Sequence, residues 1–211
     1  VLENQAVLIN QDLIQAIGPR EEMLLAHPNA ERVDLPGQVL MPGLINCHTH
    51  AAMNLLRGAA DDLALHDWLQ TRIWPLEGEL ADAEFVYDGT VLAAAEMLQG
   101  GTTTFNDMYF YPDQVVQAAL DVGSRVFAGI TVIEFPTRYD AEAKQYIELG
   151  IAARDKFKHE NTVHWTIAPH APYTVSDDTF RHMAMLAEEL DLSMHCHLHE
   201  TASEVSDALS R

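Results

Sequence analysis

The chain has 211 residues, 48% hydrophobic and 21% charged, proportions that fit a soluble globular protein and argue against disorder. Thirty-two acidic against twelve basic residues give a formal charge of −20, which repels phosphate backbones and anionic lipid, so neither a nucleic acid nor a membrane is expected as a partner. No run approaches the roughly 20 apolar residues of a membrane span, and Val1-Leu2-Glu3-Asn4 lacks the pattern of a signal peptide.

Residues 1–36 read as short strands and turns. The apolar runs Ala6 to Asn10 and Asp12 to Ile17 are split by a polar turn, Gly18-Pro19 closes the second, and Glu21 to Ala26 fits a helical turn. From Gln38 onward strand and helix alternate. Val39 to Asn46 is a nearly continuous apolar run, expected as a strand buried on both faces of a parallel sheet. A long connection carrying Trp68, Trp74 and Pro75 follows. Asp82 to Gln99 has helical spacing, with Phe85, Gly89, Leu92, Ala93 and Glu96 on successive turns and Gly100-Gly101 as the stop.

Thr102 to Phe105 reads as the second strand of this series, Asp113 to Asp121 as a helix ending near Gly123, and Arg125 to Phe135 as the third strand. Ala141 to Lys158 reads as a helix with Gly150 as an interior flaw, and Val163 to Ala168 as a fourth strand running into Pro169-His170-Ala171-Pro172. Ser176 is placed to cap a helix with Asp177 and Asp178 in its first turn and Phe180, Met183, Ala184, Ala187 and Leu190 on its apolar face. Leu192 to His197 is the fifth strand.

Side chains alternate faces on a strand, so His48 and His50 point together and Thr49 points away. Two converging neutral imidazoles suit a divalent metal, although an isolated His-x-His also fits polar residues at a loop mouth. His195-Cys196-His197-Leu198-His199 repeats the alternation, and spacing alone does not choose which of its three histidines reaches a metal. Glu200 follows directly, within reach of a water activated by such an ion. Metal-activated water with a carboxylate to carry protons is the equipment of a hydrolase. His170, at a neighbouring strand end, would line the same cavity. The two cysteines, Cys47 and Cys196, are too few for a disulfide framework, so a cytoplasmic setting is expected. Alternation turns each away from its histidine neighbours, and both are expected as small buried apolar residues.

His48, His50, Asn106, Asp107, His170, His197 and Glu200 all fall at or just past the C-terminal ends of these strands, where (β/α)8 barrels place their active sites. A doubly wound sheet is disfavoured, because no glycine-rich phosphate loop follows the first strand. A full barrel needs eight strands and typically about 250 residues. The five strands counted here, and an opening without methionine, read as the front part of a longer protein with an earlier start.

The segments Pro42-Gly43-Leu44-Ile45-Asn46-Cys47-His48-Thr49-His50, Leu55-Leu56-Arg57-Gly58-Ala59-Ala60-Asp61-Asp62, Trp74-Pro75-Leu76-Glu77, Gly100-Gly101-Thr102-Thr103-Thr104, Ala168-Pro169-His170-Ala171-Pro172-Tyr173 and His197-Leu198-His199-Glu200-Thr201 together resemble the amidohydrolase superfamily, and within it the 5-methylthioadenosine/S-adenosylhomocysteine deaminases. The resemblance runs from about Leu35 to the last residues. It implies an α/β fold of the amidohydrolase (β/α)8 TIM-barrel type, with about the first five β/α units in residues 37–211 and the N-terminal part of a small β-sandwich domain in residues 1–36.

The resemblance further implies His48, His50 and His197 as metal ligands, Glu200 as proton shuttle, His170 as a substrate contact near the reacting ring, and Glu77 as acceptor of ribose hydroxyls. A carboxylate suits vicinal hydroxyls because each oxygen can accept one hydrogen bond, whereas Glu77 taken alone reads as a helix-start acid. Arg138 is assigned to the carboxylate tail of S-adenosylhomocysteine, which a guanidinium matches in bidentate fashion. The implied cofactor is one divalent metal, zinc first, with iron or manganese also compatible with the donor set. The implied partner is a small-molecule nucleoside, deaminated at C6 of the adenine ring with Glu200 moving a proton to N1 and ammonia leaving. A homo-oligomer is compatible with the sequence. The Pro-Cys-x-x-Cys signature of cytidine-type zinc deaminases is absent.

The family pattern also includes a histidine at the sixth strand and an aspartate at the eighth. Neither has a counterpart here, and Asp107, on the second strand, is no substitute. The 211 residues alone are therefore expected to bind metal weakly and to show little turnover. The alternatives are a guanine deaminase or triazine chlorohydrolase of the same superfamily and a non-catalytic metal-binding fragment.

Overall fold

A computed structural model of the chain describes residues 1–210. It divides into two compact units, Val1–Met41 and Pro42–Arg211. In the first, strands β1 (Gln5–Asn10) and β2 (Leu13–Pro19) form an antiparallel hairpin, with Gln11 in the left-handed conformation at the turn. Helix α1 (Arg20–Ala26) follows at once, and its first amide is held by the carbonyl of Asn4 at 3.0 Å.

The second unit is built on a parallel sheet of four strands in the order β3 (Leu44–Thr49), β4 (Thr102–Asp107), β5 (Arg125–Val132) and β6 (Val163–Pro169). Sequential parallel strands need crossover helices. Those helices are α4 (Ala83–Gln99), α5 (Pro112–Val122) and α6 (Ala143–Phe157), with α7 (Asp177–Leu190) following β6. The connection between β3 and α4 coils into a 3-10 turn (Ala51–Leu56), a short helix α2 (Leu65–Trp68), a π turn (Leu69–Ile73) and helix α3 (Trp74–Leu80). A last helix, α8, spans Ala202–Ser210. Among the described residues no helix is long and apolar enough to cross a membrane.

Local chemistry explains several boundaries. Asp82 caps α4 by accepting the amide of Phe85 at 3.0 Å, and Ser176 caps α7 by accepting that of Thr179 at 3.4 Å. Gly123 ends α5 in the left-handed region at φ 83°, a conformation that costs glycine nothing. The core lies between the sheet and its helices: Phe105, Val126, Ile130 and Ile167 from the strands meet Val86, Val116, Tyr146 and Met183 from the helices, all fully buried. Each such side chain contributes about 1.5–3 kcal/mol of burial.

Four expectations are corrected. The first barrel strand begins at Leu44 rather than Val39, and Leu44 and Ile45 are 49% and 66% exposed, because among the described residues β3 pairs along one edge only. The third strand stops at Val132. Gly150 is a close-packing position in α6 rather than a flaw, since a Cβ there would collide with Ile130 of β5. The segment expected as the fifth strand runs parallel to β6 through one bridge, Ile167 to Met194, with backbone bonds from Ile167 to Ser193 (2.9 Å), from His195 to Ile167 (3.0 Å) and from His197 to His170 (2.9 Å), too few for a continuous ladder.

Candidate metal centre and substrate pocket

The first two histidines owe their direction to a buried carboxylate. One oxygen of Asp107, at the end of β4, accepts the hydroxyl of Thr49 and the amide of Ala51, both at 2.7 Å. The register between β3 and β4 shifts between Asn46 and Thr49, the kind of irregularity that re-aims side chains at a strand end. Thr49 turned toward Asp107 leaves His48 and His50 on the other face, as alternation requires. Burial pushes Asp107 up to about 6, against the hydrogen bonds from Ala51 and Thr49.

His48, His50 and His197 converge, their ligand atoms all within 4.8 Å of one another. Nε2 of His197 lies 3.0 Å from Nε2 of His48 and 3.2 Å from Nε2 of His50. Nδ1 of His50 is 2.6 Å from the Met108 carbonyl, and Nδ1 of His197 is 2.9 Å from the His170 carbonyl. Carbonyls only accept, so both Nδ1 atoms carry the proton, and a ring bonded in this way that holds no second proton presents a bare Nε2 lone pair to its neighbour. Burial pushes His50 down to about 4, which holds it neutral, and burial followed by the His197 ring lowers His48. Facing lone pairs at this distance repel unless a cation lies between them. Tetrahedral zinc with nitrogen ligands at 2.0–2.1 Å would separate them by about 3.3 Å. Backbone carbonyls that fix the second ring nitrogen are the usual outer partners of metal-bound histidine. The three residues therefore fit a divalent metal.

A pocket beside this cluster is lined by His50, His197, His170, Glu200, Tyr173 and Glu77, among others. Glu77, in the first turn of α3, accepts the Tyr109 hydroxyl at 2.7 Å, and burial pushes it up to about 7 despite that bond. His170 bonds the Thr174 hydroxyl at 2.8 Å through Nδ1, and burial pushes it down to about 3, so the ring is neutral. The Tyr173 hydroxyl donates to Glu200 at 2.8 Å, and burial together with that carboxylate raises the phenol well above its usual range.

Of the residues singled out in the sequence, His50, His197, His170, Glu200 and Glu77 line this one space, and His48 adjoins it through His197. Arg138 is not. Its guanidinium bonds the Glu79 carbonyl and pairs with Asp82 at 3.2 Å, so its charge is already engaged away from the pocket. Nor do the three histidines of the last motif act alike. His195 sits with its ring 5.8 Å from that of His48, both ring nitrogens buried without a hydrogen-bond partner, and burial pushes it down to about 4. His199 has φ 58°, which breaks the alternation and leaves it exposed. Cys47 is exposed and Cys196 half-buried, not the buried pair expected, because the chain at both sites has a neighbour on one side only.

Sequence reasoning did not find Tyr109, Tyr173 or Glu204 as parts of the site. Only Glu204 carries a local signal, the Thr201-x-x-Glu204 capping pattern. Tyr109 and Tyr173 are brought to their carboxylate partners from 32 and 27 residues away, and no periodicity records that.

Comparison with known proteins adds the family. The amidohydrolase family model matches residues 39–211. The chain is 47% identical over 208 residues to the 5-methylthioadenosine/S-adenosylhomocysteine deaminase of Saccharophagus degradans, covering 99% of this chain and 47% of that protein. It superposes with a TM-score of 0.92 and 41% identity on an adenosine deaminase from Xanthomonas campestris with bound zinc, covering all of this chain and 48% of that one. Atrazine chlorohydrolase TrzN from Arthrobacter aurescens shares the fold, at a TM-score of 0.85 and 22% identity over 99% of this chain and 51% of that one. The chain thus spans about half the length of the curated relatives it matches. With a parallel α/β sheet as a partial barrel and its histidines at the strand ends, the chain belongs to the amidohydrolase family.

Proposed function

We propose that the chain carries the metal-binding and proton-transfer portion of a deaminase site for adenosine-type nucleosides, with 5-methylthioadenosine and S-adenosylhomocysteine as substrates and ammonia as a product. The observation that carries this reading is the convergence of three imidazole nitrogens beside a pocket that also presents Glu200, His170 and Glu77. The names of relatives at 40–47% identity and the zinc in one related structure support it.

In this reading His48, His50 and His197 hold one divalent ion, zinc first. Bound there, the ion supplies the Lewis acidity that makes water a nucleophile near neutral pH. Glu200 would take one proton from the attacking water as its oxygen bonds C6 and hand it to N1 of the adenine ring; the second water proton would pass to the amino nitrogen as the C6–N bond breaks, so that ammonia leaves and a C6 carbonyl remains. His170, neutral and fixed by Thr174, contacts the ring. Glu77 keeps one oxygen on Tyr109 and accepts ribose hydroxyls with its remaining lone pairs. Arg138 is left out of this reading, since its guanidinium is engaged by Asp82 and the Glu79 carbonyl.

The test is ammonia release by the longest natural form of the protein, loaded with zinc, from methylthioadenosine, S-adenosylhomocysteine, adenosine and guanine, with chloride release from an s-triazine alongside. Turnover of the adenosine compounds that is lost in Glu200→Gln is expected. Turnover confined to guanine or the triazine would overturn the substrate assignment, and no turnover of any of them would overturn the hydrolase reading.

A further inference from the structure

Glu200 is gripped from two sides. On the main-chain side, the carboxylate of Glu204 accepts the amide of His199 on one oxygen and the amide of Glu200 on the other, both at 2.8 Å. Glu204 is only 7% exposed, and among the described residues no lysine or arginine forms an ion pair with it. A buried carboxylate without a cation is costly unless its lone pairs are filled. Here they are filled by two amides that belong to no helix or sheet.

This is more than helix capping. Thr201 caps α8 by accepting the Glu204 amide on its hydroxyl at 3.2 Å. In an ordinary capping box the third-position glutamate then reaches back to the amide of the cap residue itself. Glu204 reaches past Thr201 to the two residues before it. The first of these, His199, stands at φ 58°, a left-handed residue with a side chain, which persists only where its surroundings enforce it. That turn breaks the strand alternation after His197, and residue 200, not 199, lines the pocket.

On the side-chain side, Tyr173 donates its hydroxyl to one Glu200 oxygen at 2.8 Å. Tyr173 is itself set edge-on against the His170 ring, with centroids 5.9 Å apart and planes at 90°. One carboxylate oxygen is thereby occupied and the other remains for proton transfer.

We infer that Glu204 and Tyr173 are positioning residues for Glu200, Glu204 fixing its backbone through the left-handed turn and Tyr173 fixing the plane of its carboxylate. The inference rests on the proton-shuttle reading of Glu200. A positioning residue acts only through the residue it positions, so its effect on rate vanishes once that residue no longer works, whereas a general structural defect persists.

The test is a pair of mutant cycles in the zinc-loaded, longest natural form: Glu204→Gln and Tyr173→Phe, each alone and combined with Glu200→Gln, with kcat, KM, zinc content and thermal midpoint recorded for all. Each single variant is expected to lower kcat by about tenfold, with KM and zinc content within about twofold of the parent, and to lower the residual rate of Glu200→Gln no further. Exchange of the His199 and Glu200 amides should quicken in Glu204→Gln and stay unchanged in Tyr173→Phe. Equal losses in both backgrounds, or no loss from either single variant, overturn the inference while leaving the shuttle role standing. Full turnover by Glu200→Gln alone removes the shuttle role, and the inference with it. Should Glu204→Gln fail to fold, the Tyr173→Phe cycle still decides its half, and Glu204→Asp, one carbon shorter, replaces Glu204→Gln for the other.

Discussion

The histidine cluster and the Glu77 side of the pocket are built in different ways. His48 is on β3, His50 lies just past its end and His197 follows a single bridge to β6; His50 and His197 have their second ring nitrogen locked to a main-chain carbonyl. Glu77 and Tyr109 meet across a coiled connection and a strand-end loop, and their carboxylate is held by one phenol. Rings locked to main-chain carbonyls are fixed by the backbone, while a carboxylate held by one phenol depends on a side-chain partner. The first region is therefore expected to fail all at once and the second by degrees.

The largest effect should come from the cluster. Replacing His48, His50 or His197 singly with alanine removes one of three ligands, and zinc affinity measured by competition with a chelating dye should fall by more than about 100-fold, beyond the 10–100-fold typical of losing an outer partner. The variant Glu200→Gln should keep its zinc while kcat falls by about 10²–10⁴, which metal analysis and ammonia release together would show.

On the other side, Glu77→Gln removes a charged acceptor worth about 1.5–3 kcal/mol, so KM for methylthioadenosine should rise by about 10- to 100-fold while free bases are little affected. Because burial pushes Glu77 up to about 7, it is protonated below that pH and becomes the stronger acceptor above it. Nucleoside KM should accordingly fall as pH rises through about 7 in the parent, and this pH dependence should disappear in Glu77→Gln. The smallest effect belongs to Arg138→Ala. It breaks an exposed ion pair with Asp82, worth about 0–1 kcal/mol, and should change KM for S-adenosylhomocysteine less than about twofold. A tenfold rise would return Arg138 to the pocket and blur the contrast between the two regions.

The same contrast decides what was legible in the sequence. Period-two alternation is a property of any extended strand, so the shared direction of His48 and His50 could be read from three residues. It failed at His199, where a left-handed residue ends the alternation, and nothing in His-Leu-His-Glu announces that φ. The parallel α/β architecture followed from alternating strands and capped helices, with Asp82, Ser176 and Gly123 where the cap chemistry predicts. Exposure was misjudged for Leu44, Ile45 and Cys47, because apolar character does not say whether a strand has a neighbour on both edges. The family resemblance supplied the role expected of Glu77, but its bond to Tyr109 and its burial emerge only when α3 and β4 are placed together. Arg138 was assigned from guanidinium chemistry alone, and its pairing with Asp82, a carboxylate of the chain itself, was not legible from that.

Zinc-edge X-ray absorption on the zinc-loaded protein tests the central claim most directly. Three imidazole nitrogens at about 2.0–2.1 Å are expected, with one lost in each of the variants His48→Ala, His50→Ala and His197→Ala and none lost in His195→Ala or His199→Ala. A shell dominated by sulfur or carboxylate oxygen, or one unchanged by the first three substitutions, would contradict the shared metal centre.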